Sequence, residues 1–228
     1  MPEGATGRNF LIHHSLAGWD RYLDAGAFFR ESQRQQLFHR DVLAEMTSED
    51  PLHDARMRLS RHKGDWLSAA QDLDLHAYLP LDILTKVDRM SMAHSLEVRV
   101  PLLDHKLVEF AATIPSEFHL NGDGGKRIFK KAMRGILPAE VIDRPKRGFA
   151  VPLSFWFRGE LEGFARDLLL SRRSRERHLL NMDYVERLLD LYRRGRRLDL
   201  QLWTLISLEL WCRTFLDQQT DVAARASA

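Results

Sequence analysis

Cysteine is almost absent from this chain of 228 residues, and Cys212 is the single example. One thiol cannot form an intramolecular disulfide, and it cannot build a zinc site made of cysteines. This usage favours a reducing compartment, and we therefore predict a cytoplasmic protein. The N-terminus also lacks a charged stretch followed by an apolar core, so the sequence predicts no signal peptide.

Long apolar runs and strong net charge are missing as well. The most apolar stretch, 200–210, is shorter than the roughly 20 residues that span a bilayer, and it contains Glu209. The net charge of +2 is too small to indicate general binding to nucleic acid or membranes. The arginine-rich run 172–177 has no interleaved aromatic residues and favours a solvated face. We expect neither nucleic acid nor a membrane as a partner.

A phosphate-binding loop is the third absence. Neither GxxxxGK[ST] nor SGGxDS occurs in the sequence. Such glycine-rich loops hold nucleotide phosphates through their backbone N–H groups. The chain opens on Met1–Gly4 and shows no N-terminal nucleophile either. The sequence itself therefore predicts neither of these two phosphate-binding loops in this chain.

The sequence has a pattern that is overwhelmingly helical. Hydrophobic periodicity predicts short helices through most of the chain and a strongly apolar helix at 198–217. We predict that Pro51 occupies the first position of a helix that runs to about Arg61, and that Asp82 caps the start of a later helix. No repeat or low-complexity linker interrupts the pattern, so we expect one all-α domain over residues 1–228.

The stretch Lys86–Asp104 is the most informative part of the sequence. Its first half places charges on a helical pattern, and 96–100 alternates apolar with charged residues, which predicts an extended segment. Glu97 and Arg99 then share one face of that segment. We expect these charges in a region that is otherwise core, where burial requires a partner or a ligand. The Glu–Arg pair could fix the loop geometry or line a substrate cleft.

Lys126 is the main candidate for phosphate chemistry. It starts a predicted helix after the turn 121–125, and Arg127, Lys130 and Lys131 follow it. Cations at a helix N-terminus oppose the helix dipole, and like charges four residues apart repel each other. A bound anion would relieve both effects. A solvated basic helix start is the alternative.

Three further residues are candidates for binding. Asp104 could be catalytic, although its position also fits an N-cap. Arg144 and Lys146 belong to the cationic loop 143–149, which Pro145 stiffens. That loop could approach a nucleotide or lie exposed as an ordinary basic loop. The histidines lack the spacing of metal ligands, and we expect no metal site built from this chain's own residues.

The stretch Lys86–Asp104, KVDRMSMAHSLEVRVPLLD, resembles the signature of the synthetase domain of glutamine-hydrolysing asparagine synthetases. The typical wording of that signature is KVDRxSMAxSLEVRVPxLD. The resemblance continues in flanking segments: Asn9–Leu11, Tyr78–Pro80, Leu137–Pro138, Arg144–Phe149 and Leu202–Trp211. It implies a mainly α chain that forms the helical C-terminal half of an α/β ATP-pyrophosphatase synthetase domain, which is adenine nucleotide alpha hydrolase-like.

The same resemblance implies an amide ligase reaction. ATP would activate the β-carboxylate of aspartate as an acyl-adenylate, pyrophosphate would leave, and ammonia from a glutaminase domain would attack. Counting back from Leu137–Pro138, Lys126 matches the family's lysine that contacts the ATP phosphates, where it would stabilise charge. ATP and Mg²⁺ are the implied cofactors. Glu97, Arg99, Asp104, Arg144 and Lys146 would be the further residues near substrate or ATP.

The absent phosphate loop implies that this sequence is only part of a working enzyme. We expect it to be inactive alone and to need the missing N-terminal part of the same protein. Two alternatives stay open. One is a related amidotransferase that acts on another carboxylate, and the other is a non-catalytic helical module used for assembly.

Overall fold

The computed structural model describes residues 7–46, 50–121, 124–145 and 151–217. Helices dominate these ranges, which confirms the mainly α prediction. The chain divides into two compact units. The first unit is formed by Met1–Asp50 together with Phe149–Ala228, and the second unit by Pro51–Gly148. Hydrophobic periodicity does not reveal this division, because both units consist of similar short helices.

Four short helices begin the first unit. They are α1 (Arg8–Ser15), α2 (Gly18–Asp24), α3 (Glu31–Leu37) and α4 (Arg40–Glu45). The end of α3 is tied to a distant part of the same unit, since the N–H of Asn181 donates to the carbonyl of Leu37 at 2.8 Å. Asn181 is also the N-cap of the long helix that follows it.

The second unit contains seven α-helices in its described residues. They are α5 (His53–Arg61), α6 (Trp66–His76), α7 (Thr85–Met92), α8 (His105–Ala112), α9 (Ser116–His119), α10 (Arg127–Met133) and α11 (Ala139–Ile142). A π-helical segment, Leu79–Leu84, leads into α7, and a 3₁₀ turn, Pro101–Leu103, leads into α8. Two short antiparallel strands, β1 (Leu120–Asn121) and β2 (Gly124–Gly125), precede α10.

Two sequence expectations for this unit differ from the structure, although the helix predicted to run to about Arg61 does end at that residue. The helix predicted from Pro51 begins only at His53, because Pro51 and Leu52 form a turn before it. Asp82 is not an N-cap, because it lies inside the π-helical segment that runs without a break into α7. Its carboxylate instead lies 3.4 Å from the ammonium of Lys86, one turn further on.

The chain returns to the first unit with five helices. They are α12 (Leu153–Phe157), α13 (Glu162–Leu169), α14 (Arg172–Glu176), α15 (Met182–Arg193) and α16 (Asp199–Trp211). A π-helical turn, Cys212–Leu216, extends α16. The predicted apolar C-terminal helix is therefore present, although its last turns widen.

The hydrophobic core of the first unit lies between α15, α16 and the helices around them. Val185, Leu188 and Leu205 are fully buried, and Phe157 and Leu202 are nearly so. The i, i+3, i+4 spacing of apolar residues on α15 explains why one face of that helix packs inward. This core holds the first unit together.

An ion-pair network lies at the end of α16. The carboxylate of Glu209 is almost fully buried and accepts from Arg177 at 2.6 Å and from Arg213 at 2.7 Å. Arg177 also donates to Asp217 at 2.9 Å. The solvated face expected for the run 172–177 is therefore wrong at Arg177, because its partners lie 32 and 40 residues further along the chain. The hydrogen bond from Arg177 holds the pKa of Asp217 below its ordinary value.

The second unit buries much less. Five apolar side chains are buried among its described residues: Leu59, Ala69, Ala70, Leu73 and Ile142. Four of them belong to α5 and α6, so the well-packed part of this unit is that helix pair. No helix in the described ranges is long and apolar enough to cross a membrane.

Candidate functional site

The segment predicted to be extended follows α7 directly. Ser95 takes a left-handed backbone conformation with φ of 56° and turns the chain out of the helix. The N–H of Leu96 donates to the carbonyl of Ser91 at 3.0 Å. Residues 96–100 then lie outside any helix or strand, and Val100 has extended backbone angles. Glu97 and Arg99 are carried by this segment.

The predicted Glu–Arg pair is present but not buried. Arg99 Nε donates to Glu97 Oε1 at 2.7 Å, while the two side chains are 85% and 69% exposed. The expectation that the signature charges lie in a core region is therefore wrong for this chain. Asp88 and Arg89 are also exposed, and they form no ion pair with any described residue. Within the described ranges, these charged side chains are exposed and do not lie in a core.

Asp104 is the N-cap of α8. Its Oδ1 accepts from the backbone N–H of Lys106 at 3.0 Å, and the N–H of Val108 donates to its carbonyl. An N-cap hydrogen bond of this kind contributes about 1 kcal/mol to helix stability. The sequence allowed Asp104 to be either an N-cap or a catalytic residue, and the structure confirms that it is an N-cap.

Lys126 is the residue just before α10, because that helix begins at Arg127. Its backbone is left-handed, with φ of 61° and ψ of 31°, a conformation that costs a non-glycine residue about 1–2 kcal/mol. The side chain is exposed and forms no ion pair with any described residue. A strained backbone that presents an unpaired ammonium is an observation that motivates a functional hypothesis.

A cationic pocket lies along α10, on residues that the sequence analysis only partly identified. It has a volume of about 270 Å³ and is lined by Gly124, Gly125, Arg127, Lys130, Lys131, Arg134 and Asp143. Lys126 is not among these lining residues. The only acidic side chain in that set, Asp143, accepts from Arg134 at 3.1 Å. Sequence reasoning missed Arg134 and Asp143 as members of this pocket, since Arg134 lies just after the last residue of α10 and Asp143 just after α11.

The two remaining candidates are less informative. Arg144 is exposed after α11, and Lys146 lies outside the described residues. No hydrogen bond or ion pair in the described ranges joins Lys126 or Arg144 to the Glu97–Arg99 pair. The structure thus joins Glu97 with Arg99 directly, and no described hydrogen bond or ion pair joins this pair to Asp104, Lys126 or Arg144.

The family model for asparagine synthase matches residues 7–213 of this chain. This range contains the signature segment, Lys126 and nearly all of the described structure. The chain belongs to the asparagine synthase family.

Relatives in the asparagine synthase family match nearly the whole chain. Asparagine synthetase [glutamine-hydrolyzing] 1 of Bacillus subtilis is 30% identical over 220 residues, which cover 92% of this chain and 33% of that protein. A putative asparagine synthetase [glutamine-hydrolyzing] of Mycobacterium tuberculosis is 33% identical over 227 residues, which cover 95% of this chain and 33% of the relative. The chain therefore spans about a third of the length of these relatives.

A shorter and more similar match involves asparagine synthetase [glutamine-hydrolyzing] 3 of Bacillus subtilis. It is 48% identical over 65 residues, or 28% of this chain and 11% of that protein. No solved structure matches the chain. Family membership thus rests on sequence.

The residues of this asparagine synthase chain fit the two implied ligands differently. The cations of α10 suit phosphate oxygens, because ammonium and guanidinium groups bind such oxygens through charge-assisted hydrogen bonds. Mg²⁺ requires a set of oxygen ligands, usually with carboxylates among them. No group of three or more acidic, histidine or cysteine residues within the described ranges could hold a metal ion. The described part of the chain therefore fits an anion and does not fit a resident Mg²⁺.

Proposed function

We propose that this chain forms part of the synthetase portion of an ATP-dependent amide ligase that makes asparagine from aspartate and glutamine-derived ammonia. The observation that carries the proposal is the family match over residues 7–213, with Lys126 exposed and unpaired in the described structure. The two relatives that match nearly the whole chain are named as a glutamine-hydrolysing asparagine synthetase and a putative one. The substrates are proposed here from those names and from the signature.

The proposed reaction has two steps. In the first, a β-carboxylate oxygen of aspartate bonds to the α-phosphorus of ATP, and the bond to pyrophosphate breaks. In the second, ammonia attacks the acyl carbon of the β-aspartyl-adenylate, loses a proton and displaces AMP. Negative charge builds up on the leaving pyrophosphate in the first step, so that step gains most from a fixed cation.

Lys126 is proposed to supply that cation. Its left-handed backbone fixes where the side chain leaves the chain before α10, and no described carboxylate neutralises it. A lysine ammonium close to the pyrophosphate oxygens would stabilise the transition state without transferring a proton. Glu97 and Arg99 are proposed to orient substrate, since both are exposed and already paired at 2.7 Å. Arg144 and Lys146 are proposed to lie on the nucleotide side, and Asp104 acts as a helix cap.

The chain is proposed to be incomplete for this reaction. Mg²⁺ would accompany ATP, and the residues that bind it would belong to the part of the relatives that this chain does not match. The same part would contain the phosphate loop and the glutaminase domain that supplies ammonia. In this proposal the chain alone is inactive, works in the cytoplasm, and requires that remaining polypeptide.

The first experiment compares variants of the complete gene product. Lys126→Ala is expected to reduce aspartate-dependent ATP–pyrophosphate exchange by at least about a hundredfold, since removing one group that stabilises transition-state charge commonly has that effect. Glutamine hydrolysis should be retained. The matched control is Lys63→Ala, because Lys63 is also an exposed lysine of the second unit and has no proposed role. Normal exchange in the Lys126→Ala protein would remove Lys126 from the mechanism.

The second experiment tests incompleteness. This chain alone, supplied with ATP, Mg²⁺ and aspartate, is expected to show no exchange above background. Clear turnover would contradict the proposal that the phosphate loop must come from elsewhere. A panel of other carboxylates with the complete product identifies the acceptor, and a preference for one of them over aspartate would favour the related amidotransferase.

A further inference from the structure

A pocket of the first unit is lined by side chains that belong to, or directly follow, α12, α13, α15 and α16. It has a volume of about 230 Å³, and every residue that lines it belongs to that unit. We call it the arginine pocket, because three guanidinium groups line it: Arg158, Arg166 and Arg193. The three arginines lie far apart in the sequence, and the packing of the helices brings them to one cavity.

The floor of the arginine pocket is apolar and belongs to the core. Phe157, Leu189 and Leu202 line the pocket, and each of them is at most 9% exposed. All three are members of the hydrophobic cluster that holds the first unit together. Side chains packed in a core have little freedom to move, so the floor is formed before a ligand arrives. An apolar group placed on it would leave water, which is favourable.

Two of the three guanidinium groups have no carboxylate partner. Arg158 lies over the ring of Tyr192, with its guanidinium carbon 5.6 Å from the ring centre. The hydroxyl of Tyr192 donates to the carbonyl of Ser154 at 3.2 Å, which fixes the ring beneath the cation. Neither Arg158 nor Arg193 forms an ion pair with any described residue. The pocket therefore holds two unneutralised cations beside an apolar floor.

The remaining charges of the pocket leave it positive. Arg166 has a distant partner, since its Nη1 lies 3.7 Å from Oδ1 of Asp190. Glu162 is the only acidic residue among those that line the pocket, and it forms no ion pair within the described ranges. Three positive side chains thus face one negative side chain. A cavity with this imbalance attracts anions.

We propose that the arginine pocket binds a small organic anion with a compact apolar body. Its acidic group, a carboxylate or a phosphate, is bound by Arg158 and Arg193, because the guanidinium fork matches the oxygens of both groups. Its apolar body rests on the core floor. The volume is below the roughly 300 Å³ at which typical ligand pockets begin, so the body is limited to one ring or a short chain.

This pocket shares no residue with the candidate site of the second unit. The proposal therefore does not rest on the proposed function, and binding can be measured without any enzymatic turnover. A result on the arginine pocket leaves the adenylation proposal for Lys126 unchanged, and the converse also holds.

Calorimetric titration of the complete gene product tests the proposal. Benzoate and phenyl phosphate are the probes, because each combines a ring with one of the two acidic groups. Benzyl alcohol keeps the ring without the charge, and inorganic phosphate keeps the charge without the ring. We expect one site per chain for the better probe and at least about tenfold weaker binding of both partial probes, since each of these lacks one of the two contacts. The tighter of the two probes identifies the acidic group.

Matched substitutions place the binding in the pocket. Arg193→Gln should weaken the better probe at least about tenfold, because it removes a charged hydrogen-bond donor. The control is Arg194→Gln, which makes the same change at the next residue, is exposed and lies outside the pocket. It should alter binding by at most about twofold. Glu162→Gln should strengthen binding by about two- to fivefold, because it removes a like charge from the cavity. Circular dichroism checks that each variant is folded.

Four results would overturn the proposal. One is the absence of saturable binding of either probe up to about 10 mM. Another is equal weakening by Arg193→Gln and Arg194→Gln, and a third is inorganic phosphate that binds as tightly as the better probe. The fourth is binding to this chain alone but not to the complete product, because the rest of the polypeptide would then occupy the pocket.

Discussion

The two units of this chain differ in how much of their apolar surface they bury. In the first unit, α15 and α16 place Val185, Leu188 and Leu205 at zero exposure. In the second unit, burial is concentrated in α5 and α6, and residues further along, such as Leu81 and Phe110, are 76% and 63% exposed. Both units nevertheless consist of short helices with similar sequence patterns.

This difference shows that the family signature and the stable core belong to different units. The first unit has the packing that makes a region independently stable, because buried apolar area is the main favourable contribution to folding. The second unit carries Lys126, Glu97 and Arg99 on a frame with little core of its own. We expect its order to depend more on partners than that of the first unit.

Truncation of one leucine in each unit should produce the largest difference between the units in the free energy of unfolding. Leu205→Ala removes a fully buried side chain and should lower the free energy of unfolding by about 2–5 kcal/mol. Leu81→Ala, in this chain, should change it by less than about 0.5 kcal/mol, because Leu81 is 76% exposed. Urea unfolding followed by circular dichroism measures both. Equal losses would show that the two units do not differ in packing.

Removal of one charge from an ion pair in each unit should give a smaller difference between the units in the free energy of unfolding. Glu209→Gln takes the charge from a carboxylate that binds Arg177 and Arg213, and we expect a loss of about 2 kcal/mol. Glu97→Gln breaks an exposed pair with Arg99 and should cost at most about 1 kcal/mol. High salt should weaken only the exposed pair. If both variants lost the same stability, the burial of Glu209 would have no energetic consequence.

The smallest expected effect is on the pH dependence of stability. The pKa of Asp217 is held below its ordinary value of 3.8 by the hydrogen bond from Arg177. Its contribution is therefore fully present above pH 3.8 and is lost as the pH falls through the lower pKa of the folded state. Asp217→Asn should flatten the decline in unfolding free energy between about pH 5 and pH 2. An unchanged slope would show that other carboxylates determine the acid sensitivity.

Much of the helical structure could be predicted from local pattern. The periodicity of α15 and α16 and the N-cap at Asp104 depend on residues within one or two turns, which the sequence displays directly. The π-helical segment around Asp82 could not be predicted, because no residue type specifies that wider turn. The burial of Arg177 could not be predicted either, because its partners Glu209 and Asp217 are brought to it by tertiary packing.

The candidate site was predictable in its residue types and much less so in its arrangement. The pairing of Glu97 with Arg99 follows from a spacing of two in an extended segment. The exposure of these two side chains does not follow from the sequence, because burial depends on what lies beside the segment. Lys126 could be named as a candidate from its place in the sequence, but its left-handed backbone is a property of the turn geometry. Arg134 enters the cationic pocket from the end of α10 and Asp143 from the end of α11, and the side-chain pattern alone does not define how these two helix ends meet.

The position of Cys212 has a practical consequence. The thiol has no exposed surface and lies next to the Glu209 network, and burial raises its pKa, so it is neither accessible nor ionised in the folded first unit. A thiol-specific reagent can modify the chain only while the end of α16 is open. Because this chain has no other cysteine to compete for the reagent, the labelling rate of this chain reports how often that helix end detaches.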